Sequence, residues 1–316
     1  MKGGLYMVSK KRQAPTGILG FPVAPMNEQG KLDLSGLEAN IDFLLKEGLS
    51  SIFVACGAGE FHALSNEEYR LMVEVAVERV KGKVPLYTGV GGNISSALEQ
   101  TKISEELGVD GYLIMPPYLI NPSQDGIYNY LSEIIGSTDL NAIVYNRDNC
   151  ILNADTLSRL CEYPQLVGFK DGVGNMEQIA EFTHLFGDRL TWINGMPLAE
   201  VTMAVYINLG FKSYSSAISN YIPHISAMYY EALLNGNKEM AHNLYEEVIL
   251  PIHRIRSQKK GYAVSLIKAG MKAIGLPVSL NVRAPIAPVE DQHYEQLKEI
   301  IDKASQKYPA KATTLK

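Results

Sequence analysis

Eight short apolar runs, each bounded by Gly, Pro or Asn, recur between residues 17 and 215 and alternate with longer stretches of helical period. No other feature limits the possible folds as strongly. The runs are Gly17–Val23, Ser51–Ala55, Leu86–Gly89, Gly111–Met115, Ala142–Asn146, Leu166–Lys170, Leu190–Asn194 and Lys212–Ser215. Near-continuous apolar runs of this length suit parallel strands covered on both faces. Helical periodicity falls on Ser35–Glu47, Asn66–Val80, Ser95–Leu107, Asp125–Ile135, Asp155–Cys161, Met176–Phe186 and Pro197–Asn208. Ser65 with Glu68 predicts a capping box, and Gly48, Gly108 and Gly210 stand where left-handed helix caps are wanted. A strand spacing of roughly 22–35 residues fits one (β/α)8 TIM barrel of about 250 residues. An open doubly wound sheet is the alternative, since alternation alone does not require closure.

After Ser219 the strand signals stop. Helices are predicted over Ile222–Leu234, Lys238–Ser257, Gly261–Ile274 and Glu290–Gln306, with Pro277–Pro288 as a connecting loop. The first of these completes the barrel and the others make a C-terminal helical extension. The expected organisation is a flexible tail over residues 1–14, a barrel over 15–235, a helical region over 236–309 and a tail over 310–316.

Charge and composition remove several function classes. Lys and Arg number 29 against 34 Asp and Glu, a net charge of −5, and no basic stripe is available to neutralise phosphates, so no nucleic-acid partner is expected. No run of 18 apolar residues predicts a membrane span, and the Lys-containing start lacks a signal-peptide core. Three cysteines, Cys56, Cys150 and Cys161, are too few for a disulfide framework and fit a reducing cytoplasm. The six histidines form no pair at metal-ligand spacing, and a Gly-x-Ser-x-Gly elbow is missing.

In a barrel, chemistry sits at the C-terminal ends of the strands. That rule sorts two lysines that follow the same Gly-Phe dipeptide. Lys212 comes directly after a helix cap and enters its strand on the stability face. Lys170 ends its strand and precedes the loop Asp171-Gly172-Val173-Gly174-Asn175. A lysine projecting from an apolar run there is partly desolvated, which favours the neutral amine that Schiff-base formation with a ketone requires. The plainer alternative is a lysine paired with Asp171.

The preceding strand ends in Tyr145-Asn146-Arg147-Asp148-Asn149. Tyr145 would share the mouth with Lys170 and pass protons, and Arg147 would clamp a carboxylate in two-pronged fashion. A core tyrosine with an Arg–Asp pair is the alternative. Gly57, Ala58 and Gly59, after the second strand, offer backbone amides to an anion, or simply make a tight turn. Asn194 and Ser215 end the last two strands and are candidates for a polar distal end. Ser216 is equally suited to capping the next helix, and Cys56 to filling the core.

Taken in order, these motifs resemble the dihydrodipicolinate synthase/N-acetylneuraminate lyase family of Schiff-base lyases. The resemblance covers roughly residues 15–300 and rests on Phe21-Pro22-Val23-Ala24-Pro25, Gly57-Ala58-Gly59-Glu60, Tyr145-Asn146 and Gly168-Phe169-Lys170-Asp171. Finer wording is similar to the branch that dehydrates and decarboxylates a 4-deoxy-5-keto-hexarate. It includes Tyr145-Asn146-Arg147-Asp148-Asn149, Gly195-Met196-Pro197-Leu198-Ala199-Glu200 and the segment Gly261–Gly270. The resemblance implies Lys170 as Schiff-base lysine, Tyr145 as proton relay and Gly57, Ala58 and Gly59 as carboxylate loop. It also implies a homotetramer acting on a small keto acid. No metal or organic cofactor is expected, because the imine itself takes up the electrons.

Two positions depart from the family pattern. Ala58 replaces a hydroxyl residue, and Leu119 stands where the synthases place a second relay tyrosine. Both weigh against a synthase, and water or Ser215 is the expected substitute. A pyruvate-dependent aldolase or synthase-like enzyme remains the nearest alternative, and a non-catalytic keto-acid sensor is the alternative of another class.

Overall fold

The computed structural model describes residues 12–310. Eight parallel strands close into a barrel in chain order: β1 (Gly17–Gly20), β2 (Ile52–Val54), β3 (Leu86–Gly91), β4 (Gly111–Met115), β5 (Asn141–Asn146), β6 (Leu166–Asp171), β7 (Thr191–Asn194) and β8 (Ser213–Ser216). Pairing of β1 with β8, from Gly17↔Ser213 to Gly20↔Ser216, completes the ring and excludes the open sheet. Around it run α1 (Leu34–Lys46), α2 (Asn66–Val80), α3 (Ile94–Glu106), α4 (Gln124–Ile135), α5 (Ala154–Leu160), α6 (Met176–Phe186), α7 (Glu200–Tyr206) and α8 (Pro223–Leu234). The predicted caps form: Ser65 and Glu68 make the reciprocal box, and Gly48, Gly108 and Gly210 take positive φ.

The extension consists of α9 (Lys238–Leu244), α10 (Leu250–Ser257), α11 (Tyr262–Ala273) and α12 (Asp291–Lys307). The single helix expected over 238–257 is interrupted by a π turn at Tyr245–Ile249. Pro251 has no N–H to bond four residues back, so the turn ahead of it widens. The helix expected over 197–208 starts only at Glu200, because Leu198 sits at φ 54°. The expected tails lie mainly outside the described residues. Ala14, assigned to the first of them, is buried against the barrel, where a side chain on Gly168 would meet it. Among the described residues no helix is long and apolar enough to cross a membrane.

Inside the barrel, Leu19, Phe53, Tyr87, Leu113, Ile143, Val167 and Ile193 pack together, and Phe21, Phe53 and Tyr87 stack at 4.7 and 4.9 Å between ring centroids. A bulge in β6 decides what else points inward. Ala142 pairs with Leu166 but Ile143 with Gly168, so Val167 is an extra residue. Strict alternation from the inward Val167 would turn Lys170 out of the barrel. With the bulge, Phe169 faces outward, edge-on to Phe182, and Lys170 faces the interior. Tyr145↔Lys170 are register partners, so their side chains project side by side.

Candidate active site

The C-terminal strand ends open into a cavity of about 400 Å³. Phe21, Gly57, Ala58, Tyr145, Arg147, Lys170, Gly195 and Ser215 line it from the barrel, and Ile252, Arg256, Ala263 and Ile267 roof it from α10 and α11. Lys170 is buried, with Nζ 4.4 Å from the Phe21 ring centroid and 4.3 Å from that of Tyr145. Its amine donates no hydrogen bond to a described residue. Burial lowers its pKa from 10.5 to about 7; Cys56 opposes this and the Arg147 guanidinium adds to it. The alternative of a Lys170–Asp171 pair does not occur. Asp171 points to the other side of β6, where its carboxylate accepts from Asn146 Nδ2 (3.1 Å), Gly174 N (2.9 Å) and Tyr206 Oη (2.5 Å). Lys212 is exposed at the entry of its strand, as expected.

Tyr145 donates its hydroxyl proton to the Gly195 carbonyl (2.8 Å) and accepts from Arg147 Nη1 (3.0 Å). Burial raises its pKa against the pull of Arg147, so the phenol is kept protonated. Two glycines with no assigned role in the sequence make this packing possible. A Cβ on Gly172 would lie 2.8 Å from the Tyr145 ring, and one on Gly195 would lie 2.6 Å from both Cγ and Cε of Lys170. Gly195→Ala is therefore expected to displace the amine and lower turnover by about 100-fold, and, because the same Cβ would lie 2.9 Å from the Asp171 carbonyl oxygen, to lower the melting temperature as well. Steady-state rates beside a thermal melt check this; undiminished turnover would show that the lysine stem yields freely.

The glycine loop after β2 presents Gly57 and Ala58 to the cavity, and neither amide N–H is taken by another described residue. Gly59 does not reach the cavity. It lies where a Cβ would be 3.1 Å from the Ala55 backbone, so it serves the turn. Glu60 follows in left-handed conformation, fully buried, and forms an ion pair with the equally buried Lys268 of α11. Its other oxygen accepts the Arg283 N–H at 2.8 Å. This pair ties the loop to the roof, and sequence reasoning missed it. The visible signal was a glutamate and a lysine inside otherwise small and apolar motifs.

Ser215 lines the cavity, whereas Asn194 is turned away from it. Asn194 is the register partner of Asp171 and shares its outward pleat. Its amide is spent on Ala199 O (3.1 Å), Thr202 Oγ1 (3.0 Å) and Met196 N (3.0 Å), so it orders the β7–α7 loop rather than meeting a ligand. Ser216 does cap the following turn through Ser219 N (3.0 Å), and its hydroxyl also donates to the buried Glu200. Cys56 is a buried thiol pushed up to about 12 by desolvation, which suits the core rather than attack. Arg147 reaches the cavity but gives Nε to Asp148 and Nη1 to Tyr145, so half of its fork is occupied.

The profile of the dihydrodipicolinate synthetase family matches residues 14–304. The chain is 61% identical over 303 residues to a protein of Oceanobacillus iheyensis named "Probable 5-dehydro-4-deoxyglucarate dehydratase", covering 96% of this chain and 98% of that one. A Bacillus subtilis protein of the same name is 59% identical over 308 residues, with coverage of 98% and 100%. Among solved structures, dihydrodipicolinate synthase from Oceanobacillus iheyensis superposes with a TM-score of 0.85 at 26% identity, covering 92% of this chain and 96% of that one. With the family profile spanning residues 14–304 and relatives near 60% identity across almost the whole chain, the chain belongs to the dihydrodipicolinate synthetase family.

Proposed function

We propose that this chain is a Schiff-base lyase that dehydrates and decarboxylates 5-dehydro-4-deoxyglucarate to 2,5-dioxopentanoate, water and CO2, in the breakdown of glucarate and galactarate. The observation that carries the site chemistry is the buried Lys170 amine, without an acid partner and with a pKa near 7, beside Tyr145. The substrate class follows the relatives. In Oceanobacillus iheyensis the dehydratase-named protein shares 61% identity with this chain, the synthase only 26%.

Neutral Lys170 attacks the keto carbon. Tyr145, already hydrogen-bonded on both sides, hands a proton to the carbinolamine oxygen, which leaves as water to give the protonated imine. The imine acidifies the adjacent CH2. Loss of one of its protons gives an enamine, whose electrons expel the neighbouring hydroxyl as water. The conjugated imine then accepts the electron pair of the bond to the distal carboxylate, releasing CO2. Protonation of the resulting dienamine and tautomerisation of its distal enol give the aldehyde, and hydrolysis of the imine consumes one water, the equivalent of that lost in forming it, and frees Lys170. The Gly57 and Ala58 amides hold the carboxylate beside the keto group. Ser215 stands within the cavity to relay protons where the family's hydroxyl residue is replaced by Ala58.

We place the enzyme in the cytoplasm, in keeping with three unpaired cysteines. We also propose that it is a homo-oligomer, a tetramer by family resemblance. The contiguous exposed side chains Tyr118, Leu119 and Ile120, with Leu119 98% exposed, are the apolar surface such an assembly would cover.

The test is a turnover assay on the keto-hexarate with product identification. 2,5-dioxopentanoate and CO2 in equal amounts are expected. Borohydride added during turnover should fix substrate carbon to Lys170, located by mass spectrometry. Release of pyruvate would instead assign an aldolase, and imine formation without product a sensor.

A further inference from the structure

The proposed substrate carries two carboxylates, and the glycine loop accounts for one. The residue foreseen for the other, Arg147, has Nε and Nη1 engaged by Asp148 and Tyr145. A second guanidinium reaches the same cavity from outside the barrel. Arg256, near the end of α10, is half-buried in the roof and makes no hydrogen bond or ion pair with any described residue. Nearby charges make its position costly. Burial pulls its pKa down and Arg147 adds to this by repulsion, with only Tyr145 opposing. Two guanidiniums sharing a partly desolvated space repel, and among the described residues lining the cavity the single carboxylate, Asp148, bonds Arg147 from an exposed position. An arrangement of that kind is relieved by a bound anion. With its net charge of −5 the protein supplies no general field to attract one.

We infer that Arg256 is the anchor for the distal carboxylate of a keto-diacid, and that it gives the site its preference for dicarboxylates over pyruvate-like monoacids. This rests on the reading of Lys170 as the imine-forming residue. The free fork suits two parallel hydrogen bonds to one carboxylate. Its origin in α10 means that the barrel supplies the chemistry shared by all 2-keto acids, while the C-terminal helices measure what lies at the other end.

Two acids that cannot be dehydrated separate these roles. Pyruvate has only the keto-acid head. 2-Oxoadipate has the carbon chain and both carboxylates of the hexarate but no hydroxyl to lose. Borohydride trapping on Lys170, titrated with each acid, gives a half-saturating concentration for imine formation. In Arg256→Met that value should rise about 10–100-fold for 2-oxoadipate, the range of a charge-assisted pair, and far less for pyruvate. Arg256→Lys, which keeps the charge but loses the fork, should recover part of the difference. Equal shifts for both acids, or none, would overturn the assignment, and so would a lysine variant no better than methionine. If neither acid labels Lys170 in the unaltered enzyme, the imine reading fails and this one with it. If Arg256 discriminates the two acids but the hexarate is not decarboxylated, the anchor stands and the proposed reaction falls.

Discussion

Lys170→Met is expected to abolish turnover, by at least about 10⁴-fold, and in the same protein to raise the melting temperature. The two effects share one cause. Among the described residues nothing neutralises the Lys170 amine, and burial holds its pKa near 7 instead of 10.5. The unfolded chain carries that proton up to about 10.5, so between the two values it binds more protons than the folded one. Stability therefore rises with pH across that window, and is lowest below pH 7, where the buried amine is charged. The depression corresponds to on the order of 4 kcal/mol at neutral pH. Methionine removes the amine and keeps the apolar stem, so part of that cost is recovered as stability. The same ionisation governs the unaltered enzyme. Its kcat/KM should climb as pH passes through about 7 and level off above, because only the neutral amine attacks. A melting temperature that falls on substitution would mean that the lysine is stabilised by a partner the geometry does not contain. A pH profile flat between 6 and 8 would count equally against a neutral nucleophile (the window is set by the value of about 7).

The second large effect belongs to the buried pair beneath the roof. Lys268→Met leaves Glu60 fully buried with its charge uncompensated, and is expected to cost about 3–5 kcal/mol of stability. The double variant Glu60→Gln/Lys268→Met removes both charges and should recover most of that loss. Chemical denaturation of the two single variants and the double variant gives the coupling directly. Glu60 adjoins the Gly57 and Ala58 amides, so the single variants should also weaken imine trapping of pyruvate, which depends on that loop. Additive losses in the double variant would show that the two side chains do not stabilise each other.

Much of this was open to inspection in the sequence. The order of helix cap, strand and loop separates Lys170 from Lys212, because it fixes which end of a strand each occupies. Tyr145 and Lys170 end neighbouring strands, so a closed barrel brings them together. Asn194 was misjudged for a reason the same logic contains: it pairs with Asp171 rather than Lys170, and so takes the outward pleat. The bulge at Val167 was less visible. Leu-Val-Gly-Phe-Lys has no local mark of an extra residue, and the register emerges only when β5 is laid beside it. Lys268 stood out only as a charge inside a small and apolar motif, with nothing to name its partner, and the contribution of Arg256 could not be read at all. They arise from helices that follow the barrel and return over its mouth, and no periodicity within a helix states which strand end it will cover.

The tie between Glu60 and Lys268 spans 208 residues of chain. It makes the helical extension and the first third of the barrel one cooperative unit, although they are distant in sequence. A roof that frayed by itself would leave a carboxylate stranded in the loop that must receive the substrate's carboxylate, where like charges repel. Partial opening thus switches off binding before it exposes the imine to water. A molecule whose roof is locally unfolded is accordingly expected to bind the substrate's carboxylate poorly.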